Sequence, residues 1–199
     1  MSKDFWNERY TDKNFIYGTE PNVFFKEQIL KLNSGKALFL GEGEGRNAVY
    51  AATLGWLVDA VDFSSSAKEK ALKLAEKKNV KINYEVCDLN EYEYNENFYD
   101  IVVMIFIHLP LDIRLNVFNK AIDSLKRGGK LIVEAFSKQQ IKYNSGGPRS
   151  LDLLYSEEDL LLLSNGLNIE LFEIKEIDLS EGEYHKGVAN VVRLVSIKN

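Results

Sequence analysis

The sequence predicts an α/β fold: a doubly wound, mostly parallel sheet with helices on both faces and an antiparallel strand near its carboxy-terminal end. Three observations predict it. From Lys36 to about Phe136, apolar β-rich runs alternate with helical segments, the order that builds a parallel sheet. The first of these runs, Ala37-Leu38-Phe39-Leu40, ends in Gly41-Glu42-Gly43-Glu44-Gly45 and opens into a helix of small residues. The last third reads as two strands, Asn168 to Asp178 and Val188 to Ile197, whose connection is too short for anything but an antiparallel pair.

The chain begins with an aromatic-rich arm containing Trp6, Tyr10, Phe15 and Tyr17, a flap or an extra packing layer. Val23 to Leu32 follows as a helix whose Phe25, Gln28, Ile29 and Leu32 share a face. Strands are expected at Lys36 to Leu40, Leu57 to Val61, Lys81 to Val86, Asp100 to Ile107 and Lys130 to Phe136. Between the first two, the helix from Arg46 to Leu54 uses Ala48, Ala51 and Ala52 to sit close to the sheet, and Gly55 is placed to end it. In the next helix, from Ala67 to Lys78, Ala67, Ala71, Leu74 and Ala75 form the inner face, and Lys68, Lys70, Lys73, Lys77 and Lys78 read as a solvated one. Leu111, Leu115, Phe118, Ile122 and Leu125 make an apolar helical stripe, ended by Lys126-Arg127-Gly128-Gly129. Gln139 to Ser150 is polar, irregular and long enough for an active-site loop. A further helix starts near Ser156, paired with Asp159 in a capping-box pattern.

With 199 residues, 45% hydrophobic and 28% charged, the chain suits a single domain spanning 1–199. Within it, 1–35 form the arm and its helix, 36–136 the cofactor-binding core, and 137–199 the acceptor-side loop, helix and hairpin. A formal charge of -5 counts against nucleic acid as a partner, because neutralising phosphates needs a concentrated basic surface. One cysteine, Cys87, excludes an internal disulfide framework, offers no metal-ligand cluster and fits a reducing, cytoplasmic setting. No apolar run approaches the ~20 residues of a membrane span, and the amino terminus lacks a signal-peptide pattern. The expected partner is a small molecule, and the expected state a monomer or homodimer.

Open parallel sheets bind ligands at the carboxyl ends of their strands, so the residues there carry the functional reading. The three alternating glycines allow close approach to the main chain, and the helix beginning at Arg46 and Asn47 would offer unpaired N–H groups to a nucleotide-like cofactor. Gly-x-Gly-x-Gly is not the dinucleotide fingerprint, however, and Glu42 and Glu44 would repel a pyrophosphate. After the second strand, Val61-Asp62-Phe63-Ser64 places an acid about 20 residues beyond the glycines, suited to a ribose diol. Ser64 is the better helix cap, which leaves Asp62 free. After the third strand, Asp88-Leu89 could hold an adenine amino group and cover the ring, or form a simple turn. After the fourth, Phe106 and Ile107 can wall an apolar slot, with His108 as a helix-start group or a catalyst.

In that order, the glycine loop, Asp62, Asp88-Leu89 and Leu125-x-x-Gly128-Gly129 resemble the class I S-adenosylmethionine-dependent methyltransferases. The resemblance implies a Rossmann-like, seven-stranded sheet with an antiparallel last strand. It also implies that Gly41, Gly43 and Gly45 approach the methionine portion of S-adenosylmethionine, Asp62 holds the ribose hydroxyls, and Asp88 with Leu89 binds adenine. Gly45-Arg46-Asn47-Ala48-Val49-Tyr50-Ala51-Ala52 and Gly182-Glu183-Tyr184-His185-Lys186 are similar to the small tellurite-resistance and thiopurine-type enzymes, whose aromatic amino-terminal lid suits Trp6 and Tyr17-Gly18. In the tellurite-resistance type a late histidine followed by arginine contributes to the site. The histidine matches His185, the next residue is Lys186 instead, and a later arginine matches Arg193 loosely; lysine lacks the bidentate fork of arginine.

Methyl transfer is an in-line displacement that orientation and desolvation accelerate without a triad, and it leaves S-adenosylhomocysteine. His185 and His108 are the candidate bases, and Gln140, Tyr143, Arg149 and Lys186 the candidate acceptor-binding residues. A thiol, a chalcogen oxyanion or a small metabolite are the open acceptors. The rival readings are an NAD-dependent oxidoreductase and a non-catalytic S-adenosylmethionine-binding sensor.

Overall fold

A computed structural model describes residues 3–12 and 14–199; Met1 and Ser2 of the amino-terminal arm lie outside the described residues. The strands are β1 (Lys36–Leu40), β2 (Leu57–Asp62), β3 (Asn83–Val86), β4 (Tyr99–Ile105), β5 (Leu125–Phe136), β6 (Leu167–Ser180) and β7 (Lys186–Lys198). They form one seven-stranded sheet in the order β3-β2-β1-β4-β5-β7-β6. The pairs from β3 through β5 are parallel, and β7 runs antiparallel to both β5 and β6. The order reverses between β1 and β4, so the crevice at their carboxyl ends is the expected ligand site.

The helices are α1 (Lys3–Arg9), α2 (Val23–Ile29), α3 (Arg46–Thr53), α4 (Ser65–Lys77), α5 (Leu111–Ser124) and α6 (Glu157–Leu163). Strand periodicity divides the core into two layers. Ala37, Phe39, Ala60, Ile101 and Val103 pack with Phe25 of α2, Ala48 and Ala51 of α3 and Ala71 of α4. The alternate residues Leu38, Leu40, Val102, Met104 and Val133 pack with Val117 and Phe118 of α5 and Leu160 and Leu163 of α6. The alanines of α3 bring its backbone close to the sheet. At its start Gly45 has φ +87°, and a Cβ there would lie 2.6 Å from Ala71 Cβ, so glycine sets the α3–α4 approach.

The structure departs from the sequence reading where side-chain chemistry overrides pattern. Leu111 is exposed, whereas Arg114 of the same helix is buried. Its guanidinium donates to the carbonyls of Leu109, Asp152 and Leu154 and stacks 4.0 Å from the Tyr155 ring, tying α5 to the chain before α6. Lys70 is not on a solvated face: it is buried, ion-paired with Glu44, and donates to the carbonyls of Asp12 (2.9 Å) and Asn14 (2.5 Å). That lysine fastens the aromatic arm to α4. Lys126-Arg127-Gly128-Gly129 lies inside β5, where the register jumps from Tyr99↔Leu125 to Ile101↔Lys130 around a bulge. The segment after β5 contains two 3₁₀ turns, Lys138–Lys142 and Leu151–Leu153, and Ser156 with Asp159 forms a full capping box on α6.

Candidate active site

The carboxyl ends of β1, β2, β3 and β4 open into a cavity of about 500 Å³, within the size range of small-molecule sites. Gly41, Glu42, Gly43, Arg46, Asn47, Asp62, Phe63, Asp88, Leu89 and Phe106 line it, together with Trp6 and Tyr17 of the arm. Gly41 and Gly43 have φ of +58° and +61°, angles open to glycine at little cost. A Cβ on Gly43 would meet the Tyr10 hydroxyl at 2.7 Å, and the Tyr84 hydroxyl donates to the Gly43 carbonyl at 2.7 Å. The loop is therefore held from both sides.

The acids of this half are held by main-chain donors. Glu42 Oε1 accepts from the N–H groups of Asn47 (2.9 Å) and Ala48 (2.7 Å). The start of α3 thus carries its own carboxylate, which corrects the expectation of unpaired N–H groups awaiting a ligand phosphate. Burial pushes the Glu42 carboxyl up to about 7 against those two hydrogen bonds. Asp62 is likewise not free: Oδ1 accepts from Ser64 N at 2.9 Å and Oδ2 from Gly43 N at 3.0 Å. Each carboxylate oxygen can accept a second bond, so a diol can still be held. Burial pushes Asp62 up to about 6. Asp88 is exposed at the rim, its Oδ1 accepting from Asn90 N at 2.8 Å.

Two cofactor-side candidates have other duties. Gly45 does not line the cavity and serves α3–α4 packing. Ser64 is fully buried; it caps α4 by accepting from Ala67 N and donates to Asn7 Oδ1 at 2.7 Å, anchoring α1. Phe106 lines the wall in the left-handed region, φ +54°, with its N–H donated to the Glu134 carbonyl at 2.7 Å. Its ring stacks on Phe136 and meets His185, with centroids 4.6 Å apart in both cases. A non-glycine residue held there is the kind of local strain that collects at functional sites.

Over this half folds the arm, with Trp6 stacked on Tyr10 at 5.5 Å and Tyr17 at 4.6 Å from the His185 ring. Arg9 lies 4.6 Å from the Phe5 ring and 4.6 Å from the Tyr184 ring, and donates to the Tyr17 hydroxyl at 3.2 Å. Arg9, Tyr10, Phe136 and Pro148 line the cavity without having been singled out as site residues from sequence. The aromatic spacing of the arm is the signal for Tyr10 and the polar loop from Gln139 to Ser150 the signal for Pro148; nothing local marks Arg9 or Phe136.

On the acceptor side, His185 is buried and lines the cavity. Burial holds its imidazole below the ordinary value, opposed by Glu181. His108 also lines the cavity, but its Nδ1 pairs with the Leu153 carbonyl at 2.8 Å and its Nε2 accepts from Phe136 N at 3.5 Å. Burial pushes it down to about 4. With Nδ1 held by the Leu153 carbonyl and Nε2 3.5 Å from Phe136 N, His108 ties β4 and β5 to the 3₁₀ segment, a structural duty beside its expected place as a candidate base. Of the four candidate acceptor residues only Arg149 lines the cavity, donating to Tyr143 O at 2.8 Å and Asn144 Oδ1 at 2.6 Å. Gln140 is buried away from it, its amide shared among Ser145, Gly146 and Asn190, where it shapes the loop. Tyr143 is turned outward onto Glu176, and Lys186 is exposed at the start of β7. Arg193 is buried against Glu134, with Nε 2.5 Å from its carboxylate, and pairs with Glu173 at 3.2 Å.

Residues 37–129 match the family described as a methyltransferase domain. The chain is 27% identical over 162 residues to the curated protein named Probable S-adenosyl-L-methionine-dependent methyltransferase TehB of Haemophilus influenzae, covering 80% of this chain and 53% of that protein. It therefore spans about half the length of the curated relatives it matches. The crystal structure of TehB from Haemophilus influenzae superposes with a TM-score of 0.75 at 18% identity, covering 99% of this chain and 67% of that one. A structure from work on the conversion of a disulfide bond into a thioacetal group in echinomycin biosynthesis gives a TM-score of 0.79 at 16% identity, covering 98% and 89%. The N-methyltransferase NodS of Bradyrhizobium japonicum, solved with S-adenosyl-L-homocysteine, gives 0.73 at 13% identity, covering 100% and 99%. The segment from β1 into β5 is thus similar in sequence to a methyltransferase domain, and the chain as a whole shares its fold with solved methyltransferases.

Proposed function

We propose that this chain transfers the methyl group of S-adenosylmethionine to a small thiol or related chalcogen nucleophile. The observation that carries the donor half is Glu42 on the start of α3: a site that supplies its own anion to the helix suits a cationic cofactor and disfavours the pyrophosphate of NAD. S-adenosylmethionine supplies a sulfonium-activated methyl group when bound. Asp62 would accept from the ribose hydroxyls, Asp88 from the adenine amino group, and Leu89 and Phe63 would cover the base. The rings of Trp6, Tyr10, Tyr17 and Phe106 exclude water and favour positive charge.

For the acceptor, Arg9 and Arg149 line the cavity without a carboxylate partner among the described residues, which favours an acceptor reacting as its anion. Lys186 and Arg193, the residues matched to the tellurite-resistance type, are directed elsewhere. The cavity's cations are thus few and its wall aromatic, which favours a soft thiolate over a heavily hydrated oxyanion; selenite or tellurite is the second reading, supported by the likeness to TehB. His185 would take the proton of a neutral acceptor.

Calorimetric titration tests the donor: S-adenosylhomocysteine should bind and NAD(H) should not, and Asp62→Ala should weaken binding by about 1.5–3 kcal/mol through lost charge-assisted bonds. Release of S-adenosylhomocysteine across a panel of small thiols, selenite and tellurite tests the acceptor. Tight binding without turnover on any of them would favour the sensor reading.

A further inference from the structure

The turn between β6 and β7 brings Glu181 back across from His185, with the Glu181 N–H donated to the His185 carbonyl at 2.8 Å. Glu181 Oε2 lies 2.8 Å from Arg46 Nη2 and 3.5 Å from His185 Nδ1, and Oε1 accepts from Asn22 Nδ2 at 2.9 Å. The side chains of Arg46, Glu181 and His185 are all under 10% exposed. Among the described residues, Nδ1 of His185 is buried without a hydrogen-bond partner within ordinary bonding distance, although the ring lines the cavity. The turn packs closely on the arm: Gly182 has φ +76°, and a Cβ there would collide with the Ile16 carbonyl oxygen.

We infer that Glu181 is a positioning residue: its carboxylate holds the His185 imidazole in the tautomer protonated on Nδ1, presenting an unprotonated Nε2 to the cavity. This rests on the methyl-transfer reading of the cavity. An unprotonated Nδ1 would set a lone pair against an anion in a dry site, whereas Nδ1–H faces an acceptor. The 3.5 Å separation is long for a formed bond, as catalytic hydrogen bonds often are before substrate binds. Arg46 shares the same carboxylate and keeps it from simply drawing a second proton onto the ring. The groups facing His185 are Glu181 from the turn, Arg46 from α3, Arg9 from α1 and Tyr17 from the arm, with His108 beyond. Glu181 is driven down to about 2 despite burial, chiefly by His185 and Arg46, so it is ionised throughout the working range.

In the transfer step the acceptor's X–H proton goes to Nε2 and its electron pair forms the X–CH₃ bond. The carbon–sulfur bond breaks with its pair kept on sulfur, and the resulting imidazolium is balanced by Glu181. A thiolate arriving already ionised needs no such transfer, so the pair matters most for acceptors that enter protonated.

The chain has two histidines, so long-range ¹H–¹⁵N NMR of the labelled full chain, with His108→Gln for assignment, reads the tautomer directly. Near neutral pH, His185 should carry its proton on Nδ1. In Glu181→Gln, the Nδ1–H population should fall and the His185 pKa should drop by about one unit, since an opposite charge has gone. Turnover of 2-mercaptoethanol should show the same shift in its acid limb, with KM for S-adenosylmethionine unchanged. A wild-type proton on Nε2, or a variant with unaltered tautomer and pKa, would overturn the inference. The NMR readout needs neither cofactor nor acceptor, whereas S-adenosylhomocysteine titration tests the methyl-donor reading, so the two can fail separately. The wild-type spectrum decides the tautomer even if the variant folds poorly.

Discussion

The two halves of the cavity are held by different kinds of bond. On the donor side, Glu42, Asp62 and Asp88 are fixed by main-chain N–H groups no more than about twenty residues away, within turns that follow single strands. On the acceptor side, the fixing contacts join side chains far apart in sequence: Arg46 to Glu181, Asn22 to both Glu134 and Glu181, and Glu134 to Arg193. Main-chain donors are supplied by any residue that adopts the right backbone, so the donor half tolerates change around its acids. A side-chain network depends on the identity of every member. The acceptor half should therefore break more sharply under single substitutions.

Arg193→Met gives the most severe test of that contrast. Glu134 is fully buried, and its carboxylate contacts Arg193 and Asn22. Removing the guanidinium strands a buried charge, and stability should fall by about 3–5 kcal/mol, read by chemical denaturation. A loss under 1 kcal/mol would mean that the network is loosely held and that the two halves do not differ in this way.

A second test uses protons. His108 is pushed down to about 4 in the folded chain, against about 6.5 unfolded. Folding therefore holds the neutral ring: the stability it preserves is complete above pH 6.5 and drains away as pH falls toward 4, by about 3 kcal/mol over that interval. Glu42 and Asp62, at about 7 and about 6, have raised folded pKa values and act in the opposite sense, costing stability as pH rises through their range. Comparing His108→Gln with the wild type cancels the carboxylates. The variant's stability should decline less steeply with acid, by about 1.4 kcal/mol per pH unit between 4 and 6.5; parallel curves would show that folding leaves the His108 pKa unshifted.

The same contrast explains what could be read from sequence. The sheet, the glycine turn and the strand-end acids are local patterns, in which a strand's end predicts where its next residue sits. Gln140, Tyr143 and Lys186 looked equivalent to Arg149 because a loop's sequence does not reveal which side chains turn inward; Asn190, Glu176 and solvent claim the first three. Glu181 left no mark, since its meaning depends on Arg46, 135 residues earlier in the chain. Lys70 departs from its pattern for a related reason: an amphipathic face predicts solvation, and only the folded arm supplies the carbonyls that bury it.

Cofactor affinity should follow the donor acids. A cationic ligand prefers Asp62 and Glu42 ionised, so binding of S-adenosylmethionine should strengthen as pH rises through about 6 to about 7. The steepest dependence expected is tenfold per pH unit for each group that must lose its proton, about 1.4 kcal/mol. Asp62→Asn should flatten the lower part of the profile, and an unchanged profile would place the titrating group elsewhere.

The smallest effects should come from the two side chains that sequence placed in the acceptor pocket and the fold turns outward. Lys186 is exposed at the first residue of β7, and the Tyr143 hydroxyl meets only Glu176 on the surface among the described residues. Lys186→Ala and Tyr143→Phe should each alter stability by less than about 0.5 kcal/mol and leave kcat and KM for a thiol acceptor near wild type. Arg149→Ala, from the same loop but facing the cavity, should raise KM for an anionic acceptor and spare cofactor affinity. If Lys186→Ala lowered turnover as much as Arg149→Ala, the β6–β7 turn would have to fold inward during catalysis, and the aromatic wall around His185 would be only part of the acceptor site.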